Sequence, residues 1–217
     1  DEQKACLEFV NSESTGVNAA PRLSRWSYGY GPFDPAEGRV SSFTELPAFA
    51  NNVWQGGAKI PDPILGYASW RDRGGHPGDR GKAIVRRFHV TNDCTLTFRG
   101  RIEHPAKPGE GDGVRMTIYC HQNGVLGTWA VAHGKSRFST DEVQVKSGGM
   151  VDVIVDMRDS LNHDSFQLEF TTEEQVAGRT QRINSVGTFS GPTMTPLDAW
   201  GRLAQVLLLS NELLFVE

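Results

Sequence analysis

The stretch ILGYASWRDRGGHPGDRG, residues 64–81, sets two aromatic rings, three arginines and a histidine among glycines and a proline. Tyr67 and Trp70 lie where Gly66, Gly74, Gly75, Pro77 and Gly78 interrupt regular structure, so burial is harder for them than for aromatics in a strand. Exposed rings of this kind take the C–H faces of a sugar as they take other apolar faces. Arg71, Arg73 and Arg80 supply charge-assisted donors suited to carboxylates or sulfates. His76, with two glycines before it and Pro77 after it, presents an imidazole on a shaped loop. Tyr67, Trp70, Arg71, Arg73, His76 and Arg80 therefore form the candidate binding set, and a polysaccharide, acidic ahead of neutral, is the ligand that fits them. The plain alternative is a solvated loop beside a strand edge.

A second candidate is DMRDSLNHD, residues 156–164. Its oxygen-rich side chains suggest calcium, with Asp156, Asn162 and Asp164 as ligands, although Asx residues are also ordinary turn formers. No catalytic signature accompanies either stretch. The chain has no G-x-S-x-G elbow, no H-E-x-x-H, no phosphate loop, no C-x-x-C zinc pair and no C-x-x-C-H haem attachment. GEGDGV, residues 109–114, is a hairpin turn rather than a phosphate cradle, because a strand follows it. A non-catalytic domain is the leading expectation; a lyase or hydrolase using His76 with nearby arginines and acids is the catalytic alternative. Cys94 and Cys120 lie in β-like runs that can neighbour each other, so a bridge and two free buried thiols are both open to them.

Composition bounds the remaining classes. The 217 residues carry a formal net charge of -4, which offers no basic field for a nucleic acid backbone. The longest apolar run, AQVLLL at 204–209, is far short of the roughly 20 residues that a membrane helix needs. No signal peptide is expected in the opening DEQKACLEF, which lacks a cationic start and an apolar core. With 24 glycines, 11 prolines and a mean hydropathy of -0.40, the chain reads as loop-rich and mainly β.

The elements that must position the candidate site follow from periodicity. LSRWSYGYGPF, residues 23–33, alternates aromatic with small or polar residues, which puts Trp26, Tyr28 and Tyr30 on one strand face, expected to be core. From residue 83 to 172 strand-like runs recur about every ten residues, separated by GEGDG, QNG, SGG and SLNHD. The expected fold is mainly β, an antiparallel, jelly-roll-like β-sandwich with a C-terminal α-helix. Residues 1–21 read as an N-terminal segment and linker, 22–172 as the sandwich, and 173–217 as a connector and helix. Thr195 and Pro196 start that helix and Leu203 and Leu207 lie on its apolar stripe.

The ordered set W-S-Y-G-Y-G, W-Q-G-G, G-G-H-P-G, V-R-R-F, G-D-G-V and H-D-S-F resembles the carbohydrate-binding-module-like β-sandwich of planctomycete cytochrome c-type surface proteins. The tail PLDAWGRLAQVLLLSNELLFVE is similar to the C-terminal end of the same proteins. The chain departs from that pattern at Gln167, where tryptophan is common. The resemblance implies an extracellular or periplasmic cell-surface module that holds a larger redox protein on polysaccharide, with neighbouring domains of the longer chain as further partners and no haem in this part. An alternative within that setting is a structural domain that only docks onto those neighbours.

Overall fold

The computed structural model describes residues 24–192. The strands, in chain order, are β1 (Trp26–Gly31), β2 (Phe33–Asp34), β3 (Arg39–Val40), β4 (Thr44–Glu45), β5 (Ala48–Ala50) and β6 (Val53–Gln55). Next come β7 (Ser69–Arg71), β8 (Gly74–His76), β9 (Ala83–His89), β10 (Cys94–His104), β11 (Val114–Cys120) and β12 (Gly124–Val131). The last are β13 (Gly134–Ser139), β14 (Val143–Val145), β15 (Met150–Asp156), β16 (Phe166–Val176) and β17 (Arg179–Asn184). One antiparallel sheet runs β12-β11-β15-β9-β1-β4. The larger one runs β13-β10-β16-β8-β7-β6-β5, with β14 beside β10 and β17 beside β16.

Period-two sequence and a shared apolar core hold the sheets face to face. Trp26 and Tyr28 are each 3% exposed and Tyr30 is half-buried, so the aromatics of β1 are core and rim rather than a platform. The Trp26 ring lies 4.8 Å from Phe88 in its own sheet and 5.7 Å from Phe170 in the other. Phe88 meets Phe98 edge-on across the same gap at 6.4 Å. On the outer side of the six-stranded sheet, Val40, Phe33 and Phe43 cover Val85 and Ile154, forming a second, smaller core.

Arg86 is the exception inside the main core. Its side chain is buried, at 1% exposure, and its guanidinium lies 4.3 Å from the Trp26 ring and 5.2 Å from the Tyr28 ring. One nitrogen donates to the Ser185 carbonyl at 2.8 Å; no carboxylate pairs with it among the described residues. Burial pulls its pKa down to about 10, and the aromatic faces offset part of that desolvation through their quadrupoles.

The expected fold class is corrected at its C-terminal end. The described residues are strand, turn and loop, with no helix among them, so the described fold is all-β and the expected C-terminal helix is no part of it. The segment from Thr195, and residues 1–21, lie outside the described residues. Strand structure also continues where a connector is expected after residue 172. β16 runs to Val176, and Ala177 and Gly178, both at positive φ (47° and 78°), turn the chain back into β17.

Truncating Trp26 to alanine should cost about 3–5 kcal/mol, a fall in melting temperature on the order of 10 °C. Arg86→Lys keeps the charge and loses the planar stacking; calorimetry should record a loss of about 2 kcal/mol. Unchanged melting in Arg86→Lys would deny the aromatic cage its role.

Candidate functional site

β8 is three residues long and two of them are glycines, for a steric reason. Gly75 faces Phe166 across the ladder to β16 and Trp70 across the ladder to β7. A Cβ on Gly74, where φ is 145°, would stand 2.0 Å from the Phe166 carbonyl oxygen, and one on Gly75 would stand 2.1 Å from that of Ser69. No side chain fits at either place, so the backbone closes the sheet and leaves a shallow floor on its outer face.

Above that floor opens a pocket of about 370 Å³. The end of β7 provides Arg71, and the turn to β8 provides Asp72 and Arg73; Ser165 lies just before β16 and Gln167 within it; Tyr67 and Ile60 come from the loop before β7, and Pro105 directly follows β10. Tyr67 is 49% exposed and its ring leans toward His76, centroids 5.3 Å apart at 40°. The loop that carries it is fixed by Asp62, whose Oδ1 accepts from the Ile64 and Leu65 amides at 2.9 and 2.8 Å. His76 Nδ1 donates to the Pro77 carbonyl at 2.5 Å, and burial lowers the imidazole pKa despite that bond. The ring is therefore neutral at neutral pH, with Nε2 as a free acceptor. Arg71 is exposed and has no ion-pair partner among the described residues, whereas Arg73 is held by Glu169.

Of the six expected ligand contacts, Tyr67, Arg71, Arg73 and His76 come together in this pocket. Trp70 does not, and its assignment as a stacking platform is corrected. It is 1% exposed, because alternation along β7 turns its ring inward, where it meets Phe166 edge-on at 5.6 Å. Arg80 lies apart, lining a smaller cavity of about 130 Å³ with Phe33, Arg115 and Asp156. Gln167, Ser165 and Ile60 complete the wall and are not among the six expected contacts. Gln167 enters through register alone, opposite Gly74.

The three expected calcium ligands are not equivalent. Both oxygens of Asp156 accept from Arg115 at 2.9 Å, so that carboxylate is engaged. Asp164 is fully buried, and neither carboxylate oxygen has a hydrogen-bond partner. Burial, then the charges of Asp112 and Asp156, push its pKa up to about 7. No group of three or more His, Cys, Asp or Glu side chains able to hold a metal occurs among the described residues. Asn162 is exposed, and its backbone carbonyl lies 2.0 Å from where a Gly111 Cβ would be.

A larger pocket, about 520 Å³, lies at the opposite end of β10 and β16, lined by Asp93, Cys94, Gln144, Lys146, Gln175 and Gly178. It has no aromatic wall, and its cation is already paired, Lys146 with Asp93 at 2.9 Å. Cys94 there is a free thiol, as is Cys120, so the pair is not bridged. Burial pushes the Cys94 pKa up to about 11, which leaves it an unreactive thiol. Of these two pockets the one at Tyr67 is the better candidate, because it joins an exposed ring to unpaired polar groups. No helix among the described residues is long and apolar enough to cross a membrane.

No protein-family profile and no curated protein sequence matches the chain. Among solved structures it is similar to a PA14 sugar-binding domain from an RTX adhesin, at 14% identity and a TM-score of 0.32, covering 48% of this chain and 51% of that one. It is similar also to the PA14 domain of the MpAFP antifreeze protein, at 11% identity and a TM-score of 0.27, covering 48% of this chain and 49% of that one. A third neighbour is the GH26-CBM35 β-(1,4)-mannanase of Podospora anserina, at 10% identity and a TM-score of 0.29, covering 80% of this chain and 29% of that one. The matched region spans about half the length of the two PA14 chains and under a third of the mannanase. At such TM-scores the overlap is partial.

Asp164 yields a pH-dependent expectation. Its folded-state pKa lies above the ordinary carboxylate value of 3.8, so the folded chain holds this proton more tightly than the unfolded chain. Ionisation therefore removes stability as the pH rises from 3.8 to about 7. Asp164→Asn should raise the melting temperature at about pH 8 and leave it nearly unchanged at about pH 4. Millimolar calcium, added after chelation, checks the alternative: a rise in the wild type that the Asn variant lacks would place the ion on this carboxylate.

Proposed function

We propose that this chain is a non-catalytic carbohydrate-binding module whose site is the pocket between Tyr67, His76 and Gln167. The observation that carries this reading is the pairing, in one open pocket, of a half-exposed tyrosine ring with the unpaired cation of Arg71 and the free Nε2 of His76. A ring face takes the apolar side of a pyranose, and the polar groups around it take hydroxyls or a carboxylate. The glycine floor lets a flat ligand approach the backbone closely.

The resemblance carried by W-S-Y-G-Y-G, G-G-H-P-G and the tail supports a setting for the module. In that setting it works outside the cytoplasm and holds a longer cytochrome c-type protein on polysaccharide. Catalysis has little support in the pocket. His76 has a free Nε2 that can accept a proton, but no carboxylate is hydrogen-bonded to it among the described residues, and the carboxylate of the pocket, Asp72, lies 4.0 Å from Arg73, which Glu169 also holds.

Affinity measurements on a polysaccharide panel test the reading. Tyr67→Ala should weaken binding about tenfold, as loss of one stacked ring does for other planar ligands, with the melting temperature kept. A reducing-end assay on the same panel should detect no release. Binding that survives Tyr67→Ala at full strength would move the site, and product release would replace a module with an enzyme.

A further inference from the structure

The outer face of the nine-stranded sheet carries charge in rows. Along β10, Phe98, Gly100 and Ile102 turn inward, which puts Arg99, Arg101 and Glu103 outside. Ladder partners share a face, so Arg137 of β13, Arg101 of β10 and Glu169 of β16 stand side by side, and Arg73 reaches Glu169 from the turn before β8. Gln167, two residues from Glu169, lines the Tyr67 pocket, so pocket and rows form one continuous surface.

The rows are unbalanced. Glu169 serves both Arg73 and Arg101, the latter at a loose 4.0 Å, while Glu173 serves both Arg99 and Arg182, at 3.8 and 2.9 Å. Arg137 has no ion-pair partner among the described residues, and it lies directly opposite Arg101. Like charges placed opposite each other destabilise a sheet, so this pair stands in need of an anion. Height matters as well as number. The cations in these ion pairs are 48–76% exposed and their carboxylates 15–38%, so the acids are sunk and the positive groups stand above them. The chain as a whole is at -4, which sets this face apart from the rest.

We infer that this face binds a polyanionic polysaccharide, one bearing carboxylates or sulfates, laid across the strands from the Tyr67 pocket toward Arg137. The inference rests on the carbohydrate-binding reading and names its ligand class. Adjacent strands are spaced about 4.8 Å apart, so a polymer crossing them meets a new side-chain row at each step of that length. Arginine forks suit both anionic groups, because each offers paired oxygens to parallel N–H donors. Each ligand anion near Arg101 and Arg137 would replace repulsion with attraction.

Titration calorimetry of the full chain with polygalacturonate, a sulfated galactan and a neutral mannan, at low and high salt, tests it. The acidic polymers should bind about tenfold tighter than mannan at low salt and lose most of that advantage at high salt. The polymer that binds tighter identifies carboxylate or sulfate as the recognised group. Arg101→Gln with Arg137→Gln should abolish the preference for acidic polymers and leave mannan binding unchanged, with the melting temperature kept or raised, whereas Tyr67→Ala should weaken all three. Equal binding of mannan and acidic polymers, with Tyr67→Ala weakening both, would overturn this inference and keep the carbohydrate reading. Failure of all three polymers to bind would remove both. Tighter binding of duplex DNA than of any glycan would also overturn it.

Discussion

Between β7 and β16 there is room for a backbone and none for a side chain. The carbonyls of Ser69 and Phe166 occupy the places where Cβ atoms of Gly75 and Gly74 would be, and that steric exclusion is what joins the β5–β7 end of the large sheet to its β16–β10–β13 end. The same exclusion makes the pocket. Because nothing projects outward from the seam, Tyr67, Arg71 and Gln167 border a depression instead of a filled surface. A methyl group at Gly74 would press on the Phe166 carbonyl and one at Gly75 on the Ser69 carbonyl, each a main-chain oxygen of a neighbouring strand.

Below the seam the core is stiff. Trp70 and Phe166 meet edge-on under the pocket, so the strands carrying Arg71 and Gln167 are tied by packing as well as by ladder bonds. Further along, Arg86 ties the segment after β17 to the sandwich through the Ser185 carbonyl. On the outer side of the six-stranded sheet Asp152 is buried. Burial alone would raise its pKa, but the hydrogen bonds from Arg87 and His121 outweigh it and hold it below the usual carboxylate range. Charge is therefore used twice in this protein. Inside, Asp152 is paired with Arg87 and Arg86 is stacked against ring faces, and on the large sheet charge is left standing.

Strands β9, β10, β11 and β15 are legible in the sequence because alternation and turn residues agree there. β17 is not. Its turn is built on Ala177 and Gly178, and alanine at positive φ gives none of the asparagine or glycine signal of a hairpin. β13, GKSRFS, is polar except at Phe138 and hides as a loop. Composition places the site on residues 67–76, yet the loop containing Trp70 is locally a strand, and a period of two sends that ring inward while Tyr67 stays out. Gln167 and the Arg137–Arg101–Glu169 row depend on register between distant strands, which a single sequence does not display.

Seam, pocket and charged rows are thus one surface, and the ligand class proposed for it, a glycan, offers an apolar face, hydroxyls and anionic groups to its ring, amide and cations. The most direct test of that assignment is a backbone amide NMR titration with an acidic oligosaccharide. The account predicts shifts concentrated at Gly74, Gly75, His76 and Gln167. Shifts centred instead on Asp93, Asn123 and Gly178, at the far end of β10 and β16, would contradict it.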